Sequence, residues 1–532
     1  MNDLLFPILL LLPLATAVIV ALRPAAQAKF IAFAGSSLTA LWALIIVLRF
    51  DWSHGAQFLG SSIKWIPSIG LSLDMGVDSI ALMLVALTAF VTPLAVLSAF
   101  SVIQSRQKLF YSSMLVLMTA MTGVFVARDI IVFYICFEFT LVPMYLLIHV
   151  YGSANRFAAA GKFFLYTFTG SMITLAGIVY IANFHHHLHG EWTFAIDELT
   201  ASARQMSPTQ QSWVLLALFC GLAVKIPLFP VHTWLPLAHT EAPTAGSVIL
   251  AAVLLKLGTY GVFRFALPMC PDAMVRFAPV IAVLSIIGIL YAALICWVQK
   301  DVKKLVAYSS VSHLGFCILG LAALNSVGIG GSVLYMINHG LSTGALFLCI
   351  GMIYDRYHTR SMQQLSGLAR EMPVWAFFMV FFTMASVGLP GLNGFVSEFM
   401  CLVGTFQSGS VGAAGVPGTL GPWYAAVAGV GMIFAAIYLL YMVGKVVFGP
   451  LADLHRHPPL PRDLTKREIA ILTPIAVACL IIGLYPWPLL HSMEGPIDYI
   501  TSETDAAIVL LQNTDNEAQI TPVVSLDQEA LP

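Results

Sequence analysis

The sequence predicts an all-α polytopic membrane protein of about 14 transmembrane helices, with two inverted five-helix repeats (spans 4–8 and 9–13), each containing a broken helix. Three observations predict this class. Hydrophobic residues make up 59% of the 532 and charged residues only 10%, against about 25% charged in soluble domains. Apolar stretches of about 20 residues, enough to cross roughly 30 Å of hydrocarbon, recur along the whole chain. Two of these stretches are interrupted, one at Lys225-Ile226-Pro227-Leu228-Phe229-Pro230 and one at Gly388-Leu389-Pro390-Gly391-Leu392-Asn393-Gly394.

The expected spans are 4–22, 31–50, 78–100, 110–127, 130–150, 162–183, 213–236, 246–267, 276–298, 304–323, 329–352, 373–409, 423–448 and 468–490. The first lacks a basic leader and a clear cleavage site, so it reads as a span and not a signal peptide. Span 12, at 373–409, is too long for one straight crossing. Proline removes a backbone donor and kinks a helix. In lipid the freed carbonyls need protein or water partners, so a broken helix marks a polar interior.

The chain accordingly divides into N-terminal helices (1–109), a first five-helix repeat (110–267), a second inverted one (276–448), a last membrane helix (449–490) and a polar acidic tail (491–532). The repeats are offset by five spans, an odd number, so the second enters the membrane with opposite topology, a pattern of secondary-transporter cores.

Orientation follows from lysine and arginine. Loops after odd-numbered spans are basic, with Arg106, Lys108, Arg156, Lys300, Lys303, Arg356, Arg360, Arg370, Arg456 and Arg462 among their residues and flanks; loops after even-numbered spans are poor in both types. Both termini are therefore expected outside. The stretch after Ser502 has six acids and no Lys or Arg, and is expected to be a disordered external extension. A net charge of −1 gives no nucleic-acid footprint. The eight cysteines form no CxxC pair, and Cys136, Cys220, Cys296, Cys317, Cys349 and Cys401, inside apolar runs, read as small core residues and not as disulfide or iron–sulfur ligands.

Four charged side chains lie near the middle of apolar spans: Glu138, Lys225, Lys256 and Glu398. Each costs roughly 2.5–3.5 kcal/mol on insertion scales, and the default explanation is a polar pathway. Glu138 has apolar neighbours. Lys225 precedes the first proline of the span-7 break. Lys256 sits mid-span 8, beside Gly258 and Gly261, which admit a close neighbouring helix. Removal from water favours a neutral lysine, which can then accept and release a proton. His313 and His339 lie in spans 10 and 11, and histidine relays protons near neutrality. Ser309, Ser310, Ser312, Asn338, Ser342 and Thr343 could hold water between them. Glu398 follows the second break and is placed to open a path to the outside. His185, His186, His187 and His189 read as a solvated external loop, although such tracts can bind metal. His232 and His239 flank the first break.

At these residues a resemblance is plain. The run from Lys225 to Ser247, KIPLFPVHTWLPLAHTEAPTAGS, closely resembles the hallmark of the antiporter-like subunits of respiratory NADH:quinone oxidoreductase (complex I). So do Asp301–His313 and Gly388–Glu398, and the likeness covers about residues 70–450. It is closest to the M-type branch, whose last ionisable position is a glutamate as Glu398 is here; the L- and N-type paralogues and Mrp cation/proton antiporters usually place lysine there. One departure is Leu237, where the family usually has Asp after Trp-Leu-Pro.

The resemblance implies a proton-translocating subunit in which Glu138 pairs with Lys225, Lys256 is the central relay, His313 and His339 carry the proton on, and Glu398 leads to the exit. It implies no cofactor in this chain, with FMN, iron–sulfur clusters and quinone in sister subunits. Its partners are other membrane and peripheral complex I subunits, including neighbouring antiporter-like subunits, and the lipid of a bacterial inner membrane. The alternatives are an Mrp-type antiporter subunit, or the pump of a ferredoxin- or hydrogenase-linked relative. No long amphipathic stretch is expected after span 14, so the lateral helix of the L-type paralogue is expected to be absent.

Overall fold

The computed structural model describes residues 4–54, 59–409, 418–450 and 462–520; Arg456 and the end of the acidic tail lie outside them. Every expected span is helical. Helices α1 (Leu5–Leu22), α2 (Ala25–Arg49), α3 (Ser79–Ser98) and α4 (Gln107–Val126) are spans 1–4. Span 5 is α5 (Ile130–Phe139) and α6 (Leu141–Tyr151), joined at Thr140, and span 6 is α7 (Arg156–His189). A short α8 (Ile196–Ala203) precedes the two halves of span 7, α9 (Pro208–Lys225) and α10 (Leu235–Glu241).

Span 8 is built of α11 (Thr244–Ile249), α12 (Leu255–Gly261) and α13 (Leu267–Met269), linked by π-helical turns at Leu250–Leu254 and Val262–Ala266. Spans 9–11 are α14 (Pro271–Trp297), α15 (Val302–Ala322) and α16 (Ser326–Tyr357). The halves of span 12 are α17 (Pro373–Val387) and α18 (Asn393–Gln407), and α19 (Pro422–Val446) and α20 (Lys466–Leu484) complete the set. Among the described residues 12 spans are individually long and apolar enough to cross a membrane; the other two are the broken ones.

The arrangement grades from lipid-facing to sealed. The apolar windows of α1, α2 and α20 are only 33%, 33% and 28% buried, whereas those of span 8, α15 and α16 are 100%, 94% and 100% buried. Polar groups on the last three therefore face protein and not lipid, the condition under which a membrane tolerates them.

Two features correct the sequence reading. The loop after span 2 is not plain coil. Strands β1 (Leu59–Ile66) and β2 (Leu71–Val77) pair antiparallel, so the fold is helical with one added hairpin. Gly70 allows its turn, with φ of 69°. Hydropathy scanning misses such a short, half-exposed pair. Nor is the stretch after Ser502 disordered as far as it is described: it continues a helix to Ile520, and residues 521–532 lie outside the described residues. Helix α21 runs Trp487–Ile520 and buries Met493, Ile497, Ile500, Thr504 and Ala507 along one stripe. That spacing is the 3.6-residue period of a surface helix, which the acid content of the tail obscured.

Each break has a local cause. After Lys225 the two prolines withdraw backbone donors, and the indole of Trp234 donates to the freed Val224 carbonyl at 2.9 Å. In span 12, Gly388 adopts φ 83° as the C-terminal cap of α17, its N–H reaching the Met384 carbonyl. At Gly394 a Cβ would stand 2.0 Å from the Ala385 carbonyl oxygen, so only glycine lets the half-helices approach.

Candidate proton-relay site

The structure gathers four of the six predicted residues into one buried cluster. Lys256 is fully buried. The π-turn before it leaves the Ala251 carbonyl for its ammonium to engage, and its Nζ also lies 2.7 Å from Nδ1 of His339. π-Helical turns concentrate at functional sites, and here one on each side sets the aim of Lys256. The His339 ring centroid is 5.9 Å from that of His313. Nε2 of His339 has no hydrogen-bond partner in the protein. A proton shared between Lys256 and Nδ1 thus has one open nitrogen by which to continue.

His313 stands at the far end. Its Nδ1 is 2.6 Å from the Tyr335 hydroxyl and 3.9 Å from Oε1 of Glu398, and its Nε2 is 3.4 Å from the Tyr438 hydroxyl. Tyr335 also lies against the Glu398 carboxyl. Glu398 is 1% exposed and its Oε1 accepts no hydrogen bond from the protein. Two cations at the 2.7 Å separation of Lys256 and His339 would repel by about 6 kcal/mol at an effective dielectric near 20. At most one of the two is cationic at a time, so charging one favours the neutral form of the other.

The remaining two predicted residues sit apart from the cluster. Lys225, the last residue of α9, is buried; its Nζ donates to the Thr140 hydroxyl at 3.0 Å and lies 4.6 Å from the Phe137 ring centroid. It forms no direct ion pair with Glu138. Glu138 is half-buried at the flank of α5, with Oε1 unpartnered and Ser171 nearby. Thr140 is the residue at which α5 passes into α6, so Lys225 is held at that joint, two residues from the carboxylate it was expected to meet.

Other expectations resolve differently. Ser309 and Ser310 both bond the Val306 carbonyl, and Ser312 bonds that of Ile289, so these hydroxyls serve the backbone. Asn338 instead ties α16 to the second break, donating to the Asn393 carbonyl at 2.6 Å and to Ser397 at 3.0 Å. Asn393 returns a bond to the Asn338 carbonyl at 3.1 Å. The histidine tract is the last turn of α7 and not a loop; His185 Nδ1 is 2.7 Å from the Ser202 hydroxyl. Among the described residues no group of three metal-ligating side chains forms. His232 packs on Phe229, and His239 is buried in a parallel stack on Phe347.

Tyr335, Tyr438 and Thr140 were not foreseen. Tyr335 precedes His339 by four residues and so shares its helix face, a signal present in the sequence. Tyr438 and Thr140 come from other spans, and no local pattern announces them.

A row of buried titratable groups leading from the middle of span 8 to the second broken helix, beside a buried lysine at the first, is the arrangement of an antiporter-like membrane subunit. The comparisons with known proteins agree. Residues 127–421 match the family described as NADH:quinone oxidoreductase/Mrp antiporter, TM. NADH-quinone oxidoreductase subunit M of Rhodobacter capsulatus is 41% identical over 517 residues, covering 92% of this chain and 95% of its own. NADH-ubiquinone oxidoreductase chain 4 of Marchantia polymorpha is 38% identical over 493 residues, covering 92% and 95%. A chain of respiratory complex I from Thermus thermophilus with bound NADH superposes with a TM-score of 0.83 at 28% identity, covering 95% of this chain and 100% of that one. The chain belongs to the NADH:quinone oxidoreductase/Mrp antiporter family, in its complex I subunit M branch.

Proposed function

We infer that this chain is the proton-translocating membrane subunit M of an NADH:quinone oxidoreductase, coupling electron transfer in sister subunits to proton movement. One observation carries the reading: Lys256, His339, His313, Tyr335 and Glu398 form a chain of buried, mutually facing titratable groups. An idle scaffold would have no reason to hold these groups away from lipid at such cost.

In this mechanism Lys256 takes up a proton, passes it through His339 and His313, and Glu398 releases it beyond the Gly-Pro break. Lys225 is the input. At Thr140 its charge is stabilised by a neutral hydroxyl; moving toward Glu138 would pair the two charges. Unit charges 4 Å apart interact by about 4 kcal/mol at an effective dielectric near 20, equivalent to about three pKa units. That is enough to load or unload a neighbouring relay.

Residues 110–267 and 276–448 act as the two inverted five-helix halves, with 1–109 flanking them and 449–490 closing the bundle. Beyond these, the 491–532 segment starts on α21. Both termini lie outside a bacterial inner membrane, because the basic loops follow odd-numbered spans. FMN, iron–sulfur clusters and quinone reside in sister peripheral and membrane subunits, and adjacent antiporter-like subunits flank this one. A carboxylate at 398, in contact range of His313, favours this reading over an Mrp-type antiporter.

The test is Lys256→Gln in the assembled complex, with NADH oxidation and proton translocation measured together in membrane vesicles. Loss of a positioned proton-transfer group costs about 10²–10⁴-fold, so translocation through this subunit should collapse. Unchanged translocation per NADH would refute the assignment.

A further inference from the structure

Span 8 carries a second cation that the relay does not use, the partly buried Arg264, whose side chain is 15% exposed. It lies eight residues beyond Lys256, about 12 Å along the helix axis at 1.5 Å per residue. Its guanidinium pairs with Asp78, the residue that caps α3 by accepting the Ala81 N–H at 2.8 Å. Its Nε donates to the Tyr260 hydroxyl at 3.1 Å, and that hydroxyl reaches the Phe125 carbonyl at 3.4 Å. The turn between Lys256 and Arg264 is therefore filled by a buried tyrosine whose hydroxyl is already engaged.

Beyond the pair opens a cavity of about 290 Å³, lined by Asp78, Asp197 and Arg264 and roofed by Pro496, Tyr499 and Ile500 of α21. Arg204 fastens this roof to the end of span 8. It donates to the Pro268 carbonyl at 2.9 Å, pairs with Glu503 at 2.7 Å, and lies 5.4 Å from the Tyr499 ring centroid.

We propose that the Arg264–Asp78 pair, held under α21, is an outward seal that stops Lys256 from discharging its proton straight to the outside. This rests on the proton-carrying role and orientation proposed above. Guanidinium does not release its proton in proteins, so Arg264 cannot act as a relay. A fixed cation in a narrow polar passage raises an electrostatic barrier to protons. The Asp78 carboxylate is taken up by the guanidinium and the helix cap. Lys256 itself points the other way, to Ala251 and His339. A pump needs such a barrier: a relay lysine open along its own helix would short-circuit the sideways path to Glu398.

The experiment uses the assembled complex in sealed vesicles and follows decay of an NADH-generated pH gradient after NADH is exhausted. A unit charge about 12 Å from Lys256 at a dielectric near 20 is worth about tenfold. Arg264→Gln should therefore speed the decay about tenfold and lower protons moved per NADH while NADH oxidation continues. Arg264→Lys keeps a cation but one that can give up its proton, so it should leak more than wild type and less than Arg264→Gln. Asp78→Asn with Arg264→Gln leaves no unpaired buried charge and guards against misfolding; because it removes charges of both signs, it should leak faster than wild type but less than the single variant. Arg204→Ala, which loosens the roof alone, should leak less than Arg264→Gln.

Wild-type decay in both Arg264→Gln and the double variant would overturn the seal, as would an Arg264→Lys variant that leaks faster than Arg264→Gln. Adding Lys256→Gln should abolish the Arg264→Gln leak. A leak that persists without Lys256 refutes the seal but leaves the relay standing, whereas unchanged NADH-driven translocation in Lys256→Gln alone refutes the relay.

Discussion

The two buried lysines occupy different kinds of site. Lys225 ends a half-helix against the α5–α6 joint, and the spans around it are open to their surroundings: the apolar windows of α5–α6 and α7 are 50% and 39% buried. Its intended partner, Glu138, is half-buried with an oxygen unclaimed. Lys256 lies mid-span where burial is complete, and its neighbours His339, His313 and Glu398 are all within 2% exposure. The contrast divides the labour. In the proposed mechanism the first site is the input, because a charge beside α5 would reach the half-buried Glu138 without crossing the core. The second can store and move a proton, because a low-dielectric surround strengthens each interaction within it. Coupling then means that a change of charge at the exposed site alters proton affinity at the sealed one.

The comparison can be broken most severely at the second break. Gly394→Ala places a methyl against the Ala385 carbonyl and must push α17 and α18 apart. Overpacking of this kind costs about 1–3 kcal/mol. It would also disturb the Asn393–Asn338 bonds, so the melting temperature of the purified complex should drop and proton translocation should fall with it. A Gly394→Ala complex as stable and active as wild type would show that the break does not depend on this close approach.

Thr140→Val sharpens the comparison at the first site. It removes the hydroxyl that holds Lys225 while keeping the shape. A hydrogen bond from a charged donor contributes about 1.5–3 kcal/mol, so Lys225 should shift toward Glu138 and NADH-linked translocation should change by more than tenfold. Glu138→Gln removes the charge that Lys225 moves toward in the proposed stroke, a pairing worth about 4 kcal/mol at 4 Å and a dielectric near 20. Glu138 is half-buried, so solvent screens part of that pairing. NADH-linked translocation should fall about tenfold, and a Glu138→Gln complex that pumps normally would show that Lys225 does not work through this carboxylate.

Much of this division was legible in the sequence, for physical reasons. Lipid forces spans to be apolar, so their number and order follow from hydropathy, and charges inside them stand out. Proline and glycine mark both breaks because they remove donors or admit positive φ. Pairing was less legible. That Lys256 meets His339 depends on α16 passing the π-turns of span 8, a contact between residues 83 apart in sequence. The Lys225–Thr140 bond likewise replaced the expected pair with Glu138 because a joint in span 5 carries the hydroxyl to the lysine. Helix α21 was hidden by composition: its acids mark it as polar, while the stripe from Met493 to Ala507 makes it a packed element. The hairpin escaped because a two-stranded unit with several exposed apolar residues has no strong hydropathy signature.

The central claim is that Lys256 and Glu398 belong to one proton path. The most direct measurement is protons translocated per NADH oxidised in Lys256→Gln, Glu398→Gln and the double variant. Groups that act as a unit are strongly non-additive. Each single substitution should therefore remove the whole contribution of this subunit, and the double should lose no more. Losses that add, or a Glu398→Gln complex that pumps normally, would show that the two ends work on separate paths.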